Sequence, residues 1–302
     1  MPVSTTRSEL LKKRTDQFTR VLHAVEKGDL RALHQARVAS RRIRELMPIL
    51  QLDSTASRKL GRRLRRVTKR LGTVRELDVL LLLIDELHVS GRRGTAALGR
   101  VGVRVSKRRD EARKKLARHL PADQMARLAR KLDRIVGKMK GAEEKSPKTE
   151  ARSWRWALDA RVAKRAARLA AAMAEAGSLY IPERLHAVRI AVKKLRYAAE
   201  LASEASRGRG DADLRALKRA QDLLGRMHDE QTLIEQVRQT QASLAPPSVT
   251  VWRDLDTLVA ALEDDCRRLH ARYVHLRETL DELAARREQT QSQTRAQARR
   301  AG

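Results

Sequence analysis

The stretch LHQARVASRRIREL, residues 33–46, has a near copy later in the chain, LHAVRIAVKKLRYA at residues 185–198. The two segments align without gaps and share five identical residues in fourteen positions. The match continues downstream, where LRRVTKRLGTVREL at 64–77 corresponds to LKRAQDLLGRMHDE at 217–230. Repetition in a fixed order indicates duplication of one helical unit. We therefore predict two copies packed about a pseudo-twofold axis.

The residue pattern of each copy predicts an amphipathic helix, in which a stripe of basic residues lies beside the apolar face. At about 100° per residue, the apolar positions Leu33, Ala36 and Ile43 fall on one side, and the charged positions form a separate, adjacent stripe. The stripe consists of His34, Arg37, Arg41 and Arg44 in the first copy and of His186, Arg189, Lys193 and Arg196 in the second.

The rest of the chain has the same helical periodicity. Apolar residues recur at spacings of three and four, and no segment alternates as a strand does, so the predicted class is all-α. The expected helices lie at about 5–27, 29–50, 55–88, 94–119, 122–140, 153–176, 182–206, 211–241 and 249–287. Gly28 and Asp29 are expected to end one helix and cap the next. Gly72 and Gly225 lie inside helices, where close helix packing is the expected reason for glycine.

These signals also predict the domain organisation. One helical domain is expected over 5–287, with a first repeat at 5–142 and a second at 153–287. The polar segment 143–152, which contains a Ser-Pro turn signal, is the expected linker. The polar residues 288–302 are expected to form a disordered tail.

The composition points to a polyanionic partner. The 302 residues include 67 Lys and Arg against 37 Asp and Glu, a formal net charge of +30. Such an excess is compatible with nucleic acid, an anionic membrane surface or an inorganic polyanion. A single cysteine, Cys266, excludes an internal disulfide and a cysteine-built zinc site. Without a signal peptide or an apolar membrane span, the expected location is the cytoplasm.

The predicted helix 55–88 strengthens the case for anion binding. It carries nine basic residues and no acidic one between Arg58 and Arg75. Of these, Arg62, Arg65, Arg66 and Lys69 lie roughly opposite its apolar side. A solvated helix face usually mixes charges of both signs. The histidines have no carboxylates at ligand spacing, so they are expected to contact an anion, not a metal, and no catalytic residue or cofactor is predicted.

The doubled motif LHxxRVAxRRIR and LHxxRIAxKKLR, each followed by a helix with an LG near its middle, resembles the CHAD family of conserved-histidine α-helical domains. The resemblance implies two pseudo-symmetric four-helix bundles with a central basic channel that binds inorganic polyphosphate. It also implies association with polyphosphate granules. The second copy departs from the pattern at Asp222, where the first has Lys69, so the first half is expected to bind more tightly.

The predicted function is non-catalytic binding of inorganic polyphosphate. The alternative is a nucleic-acid-binding protein of the nucleoid-associated type, against which the seven aromatic residues weigh, since few rings are available for stacking bases. A third interpretation, an enzyme acting on phosphorylated substrates, would require turnover that depends on His34 or His186. The predicted polyphosphate-binding residues are His34, Arg37, Arg41, Arg42, Arg44, Arg62, Arg65, Arg66, Lys69, His186, Arg189, Lys193, Lys194, Arg196, Lys218 and Arg219.

Overall fold

The computed structural model describes residues 5–50, 52, 54–89, 95–206, 212–244 and 248–300. Within these ranges every regular element is a helix, which confirms the predicted all-α class. A short 3₁₀ helix, Met47–Ile49, follows the third α-helix. The α-helices are α1 (Arg7–Arg20), α2 (Leu22–Glu26), α3 (Leu30–Leu46), α4 (Ser54–Val89), α5 (Thr95–His119), α6 (Ala122–Lys145), α7 (Pro147–Ala176), α8 (Pro182–Ser206), α9 (Ala212–Ala242) and α10 (Val249–Arg300).

The start of α3, which carries the first histidine motif, is set by local sequence as predicted. Gly28 has a φ of 81°, a left-handed conformation that glycine adopts without strain. Asp29 then caps α3 by accepting a hydrogen bond from the backbone N–H of Ala32 at 2.6 Å. The preceding segment is two helices, not one, because α1 ends at Arg20 and α2 begins at Leu22.

The expected linker at 143–152 is wrong at the level of secondary structure. Helix α6 continues to Lys145 and α7 begins at Pro147, so only Ser146 lies between them. Proline at the first helical position favours an immediate new start. The polar composition has another cause: Glu143 and Glu150 both pair with the buried Arg7 of α1.

Helix α10 extends to Arg300, through most of the residues that were expected to form a disordered tail. The sequence from Val249 to Arg300 contains neither glycine nor proline and ends in strong helix formers. Residues 301 and 302, the last of the predicted tail, lie outside the described residues. None of the described helices is long and apolar enough to cross a membrane.

The described residues form two hydrophobic cores that do not follow the predicted repeat boundary. The first core joins α1, α2, α3 and α6 to the first half of α4, from Leu60 to Val74, and also includes residues from the first part of α7 and the last part of α8. The second joins α7, α8, α9 and α10 to the second half of α4, from Leu77 to Ile84. Helix α5, predicted to belong to the first repeat, contributes Leu98 and other residues to the second core. Helices α4, α7 and α8 therefore contribute to both cores.

Candidate anion-binding site

The two histidine-motif helices, α3 and α8, contact each other, and their motif segments, 33–46 and 185–198, bury their apolar sides in opposite cores. On α3, Leu33 and Ile43 are nearly inaccessible to solvent, and the equivalent residues of α8, Leu185 and Leu195, are buried in the same way. Because the basic stripes lie beside these apolar faces, packing both helices at the boundary between the cores turns the stripes toward each other. The sequence alone could not show this juxtaposition.

A cavity of about 740 Å³ lies where α3, α4, α7 and α8 meet. Arginine and lysine side chains dominate its lining, and Tyr197 contributes one aromatic ring. Only one carboxylate, that of Glu45, is part of the lining. The basic residues around the cavity are Arg41, Arg44, Arg58, Arg62, Arg65, Arg161, Arg165, Arg168, Lys193 and Lys194.

Glu45 is occupied by two arginines of α7. Arg161 donates from Nε to Glu45 Oε1 at 2.7 Å, and Arg165 donates from Nε and Nη2 to the two carboxylate oxygens, each at 2.9 Å. The side chains of Glu45 and Arg165 are each only 8% exposed. A bidentate pair of this kind fixes the guanidinium plane of Arg165 in the cavity wall.

Beyond the cavity, the stripes continue with Arg37 of α3 and Arg189 of α8. Burial, together with the charges of neighbouring arginines, lowers the pKa of Lys193 to about 6. Burial likewise lowers the pKa of Arg37 to about 10, with the charge of Arg41 as the next cause. Glu76 of α4 lies beside Arg37, whose Nη2 is 3.2 Å from Glu76 Oε1. Cations that depress each other's pKa favour the arrival of an anion.

The motif histidines mark the far end of the stripes. Burial is the main cause that lowers the pKa of both His34 and His186, and nearby arginines act in the same direction. His186 Nδ1 lies 3.4 Å from Nδ1 of His228, whose pKa is lowered to about 4, chiefly by burial. Within the described ranges, no group of three or more His, Cys, Asp or Glu residues could hold a metal ion.

Gly72 makes room for Arg37. A Cβ at this position would lie 3.3 Å from Arg37 Nε and 3.4 Å from Nη2, closer than ordinary van der Waals contact. The space at Gly72, where close helix packing was expected, is therefore filled by an arginine side chain of α3. At Gly225, its counterpart in the second copy, a Cβ would meet no described atom within 4 Å, so the prediction of close packing is wrong there.

Two predicted residues of the histidine motif are engaged elsewhere. Arg42 Nη2 lies 3.1 Å from Glu200 Oε2 of α8 and does not line the cavity. Arg196 pairs with the same Glu200 and donates from Nε to Gln221 Oε1 at 2.9 Å. Its guanidinium also lies over the ring of Tyr197, 5.2 Å from the centroid. These contacts connect α3, α8 and α9.

Four other predicted residues also lie outside the lining of the 740 Å³ cavity. Arg66 lines a separate cavity on the other flank of α4. Lys69 is exposed but shares the angular stripe of Arg62 and Arg65. On α9, Lys218 pairs with Asp222 at 2.8 Å and Arg219 is exposed.

Sequence reasoning missed the arginines of α7. Arg161, Arg165 and Arg168 follow one another at spacings of four and three, which places them on one face of the helix. That spacing was a usable signal. These arginines lie outside both copies of the histidine motif, on which the predicted site was based.

The fold agrees with two solved structures. The chain is 23% identical to the CHAD domain from the plant Ricinus communis, with a TM-score of 0.61, 90% of this chain covered and 92% of the other. PptA from Streptomyces chartreusis is 18% identical, with a TM-score of 0.66 and coverage of 92% and 100%. No curated protein matches the sequence significantly. The model of the CHAD domain matches residues 9–238, more than half of the sequence, and the chain therefore belongs to the CHAD family.

Proposed function

We propose that this protein binds inorganic polyphosphate, without catalysis, along the basic surfaces of α3, α4, α7 and α8. The observation that carries the proposal is the cavity with ten basic side chains and one carboxylate, already bonded to two of them. The CHAD family, to which the chain belongs, is known for binding polyphosphate. A location at polyphosphate granules is part of the same proposal.

The geometry suits a linear chain of phosphates. From His34 to Arg44 the stripe of α3 rises about 15 Å at 1.5 Å per residue, so several consecutive phosphates can lie beside it. Guanidinium groups can donate two hydrogen bonds to the non-bridging oxygens of one phosphate, while Lys193 and Lys194 act as point charges. Release of counterions from the polyanion should make the affinity fall steeply with salt.

Nucleic acid is the weaker candidate because the cavity offers little for bases to stack on. Its single aromatic side chain, Tyr197, is 7% exposed and lies beneath Arg196. Single-strand binders use exposed rings for this purpose. An enzymatic role is also less well supported, since Glu45, the acid in the cavity wall, is bonded to Arg161 and Arg165 and is not free to act as a base.

The test is a competition between long-chain polyphosphate and duplex DNA or RNA at equal phosphate concentration. Polyphosphate should displace the nucleic acid, and failure to do so would contradict the proposal. Incubation with polyphosphate or nucleotides, with and without divalent metal, should release no phosphate. Measurable turnover that disappears on substitution of His34 or His186 would support the enzyme instead.

The double variant Arg37→Glu/Arg41→Glu tests whether the basic stripe of α3 binds polyphosphate. The two residues lie one turn apart on that helix. The matched control is Arg130→Glu/Arg134→Glu, which reverses two exposed charges at the same spacing on α6. The first variant should lose at least about 100-fold in affinity, roughly 2.7 kcal/mol, with unchanged helix content. Equal losses in both variants would mean that only net charge matters.

A further inference from the structure

Helix α4 presents arginines to two different cavities. Arg62 and Arg65 line the 740 Å³ cavity described above. Arg63, Arg66 and Arg70 follow a second stripe, about 100° around the helix axis from the first. They line a cavity of about 300 Å³ between α4 and the beginning of α6. We call this second cavity the outer pocket.

The outer pocket is strongly positive. Arg127 of α6 joins the three arginines of α4, and no carboxylate is part of its described lining. Arg127 pairs with Asp123 at 2.5 Å, and Arg70 donates to the backbone carbonyl of His119. In the part of the chain that the structure describes, Arg63 and Arg66 form no ion pair. Their charges are therefore uncompensated at the surface.

The lining also indicates the chemistry of the ligand. The apolar side chains at its base, Val67, Leu120, Met125 and Leu128, are already between 3% and 7% exposed, so little apolar surface remains for a ligand to cover. No aromatic ring is among the lining residues. What the pocket offers is guanidinium groups, which bind oxyanions through paired N–H donors. A nucleobase would gain almost nothing there.

We propose that the outer pocket is a second binding site for condensed phosphate, separate from the 740 Å³ cavity where α3, α4, α7 and α8 meet. The proposal rests on the proposed function in one respect: a long polyphosphate chain held in the central cavity passes around α4 and occupies the outer pocket as well. The two stripes are on one helix whose diameter is about 10–12 Å, so the path between them is short. Binding at a second, linked site raises the overall affinity without any change at the first.

The experiment compares two pairs of neighbouring arginines on the same helix. Titration calorimetry at low salt with tripolyphosphate, too short to link the sites, should reveal two classes of site in the unmodified protein. Arg63→Glu/Arg66→Glu should remove one class, and Arg62→Glu/Arg65→Glu should weaken the other. With long-chain polyphosphate, the Arg63→Glu/Arg66→Glu variant should lose about tenfold in affinity, because the linkage is lost. The neutral variant Arg63→Gln/Arg66→Gln, which removes the two charges without reversing them, should change the binding of tripolyphosphate and of long chains in the same direction.

The outcomes separate this inference from the proposed function. If Arg63→Glu/Arg66→Glu retains both classes of site and full affinity for long chains, the outer pocket is not a phosphate site, while the central site stands. If only that variant loses binding and Arg62→Glu/Arg65→Glu and Arg37→Glu/Arg41→Glu lose nothing, the outer pocket stands and the proposed central site is wrong. ATP that binds the outer pocket more tightly than tripolyphosphate would overturn the assignment to condensed phosphate.

Discussion

Arg42 of α3 and its counterpart in the second copy, Lys194 of α8, have opposite surroundings. Arg42 pairs with Glu200 at 3.1 Å, whereas Lys194 lines the cavity. Two positions further along, the first copy lines the cavity and the second copy forms the ion pair: Arg44 is part of the lining, and its counterpart Arg196 pairs with Glu200. Equivalent positions therefore have different roles, and Glu200 of α8 determines which of these cations are held in ion pairs within the structure.

The same comparison holds for the next position of the motif. Glu45 on α3 binds two arginines of α7, and the equivalent residue on α8 is Tyr197, which stacks beneath Arg196. A few acidic or aromatic differences between the two copies of the motif are enough to give them different partners. The cavity is consequently asymmetric although the motif is repeated.

The largest expected effect comes from removing the acid that only the first copy has. Glu45→Gln leaves Arg161 and Arg165 buried without their carboxylate, which should cost about 3 kcal/mol of unfolding free energy. The same change should increase the affinity for polyphosphate, because two guanidinium groups become available. Denaturant unfolding and binding measured on the same sample check both effects. A stable variant with unchanged affinity would show that Glu45 does not restrain these arginines.

The next largest effect is a pH dependence of the affinity for polyphosphate, caused by Lys193 of α8. Burial and the neighbouring arginines lower the pKa of Lys193 to about 6, so this amine is mostly neutral at pH 7.5. A bound polyanion favours the charged form and raises that pKa, so binding takes up a proton. The affinity should therefore fall as pH rises above 6, by at most about tenfold per pH unit for one proton.

Calorimetry in two buffers of different ionisation enthalpy measures this proton uptake directly. Lys193→Arg, which stays charged over the same range, should flatten the pH profile. If the affinity of Lys193→Arg falls equally steeply with pH, the proton is taken up by another group. His34 and His186 are the candidates, because burial lowers their pKa values as well.

A smaller effect should separate Arg42 from Lys194. Arg42→Ala should lower the unfolding free energy by about 1 kcal/mol and leave the affinity almost unchanged, since its partner Glu200 keeps Arg196. Lys194→Ala should do the reverse and weaken binding with little change in stability. Thermal melts and titrations of the two variants check this crossed pattern. The same response in both would mean that the two copies are functionally equivalent.

The smallest expected effect concerns the paired glycines of α4 and α9. Gly225→Ala should stabilise the protein by about 0.5 kcal/mol through helix propensity alone, because no described atom lies within 4 Å of the added Cβ. Gly72→Ala should displace Arg37 and weaken polyphosphate binding about threefold, an order-of-magnitude figure for a guanidinium shifted from an optimal hydrogen-bonding geometry. Matched titrations of the two variants measure the difference. Equal affinities would show that the position of Arg37 is not critical.

The sequence predicted the parts of the molecule that depend on local pattern. Helical periodicity, the Asp29 cap and the two basic stripes required only neighbouring residues, and the structure contains all three. The acid partners could not be predicted, because Glu200 pairs with a residue 158 positions away and Glu45 with one 120 positions away. The interpretation of segment 143–152 as a linker failed for the same reason: its glutamates pair with Arg7 of α1, which is far away in the sequence.

The sharing of α4 between the two cores has a consequence for how the molecule unfolds. The residues from Leu60 to Val74 belong to one core and those from Leu77 to Ile84 to the other, on one continuous helix. Melting either core would expose half of α4 and leave the remaining half as a frayed end. The cores should therefore lose their structure together, in a single cooperative calorimetric transition, and the basic walls they carry should persist or disappear as a unit.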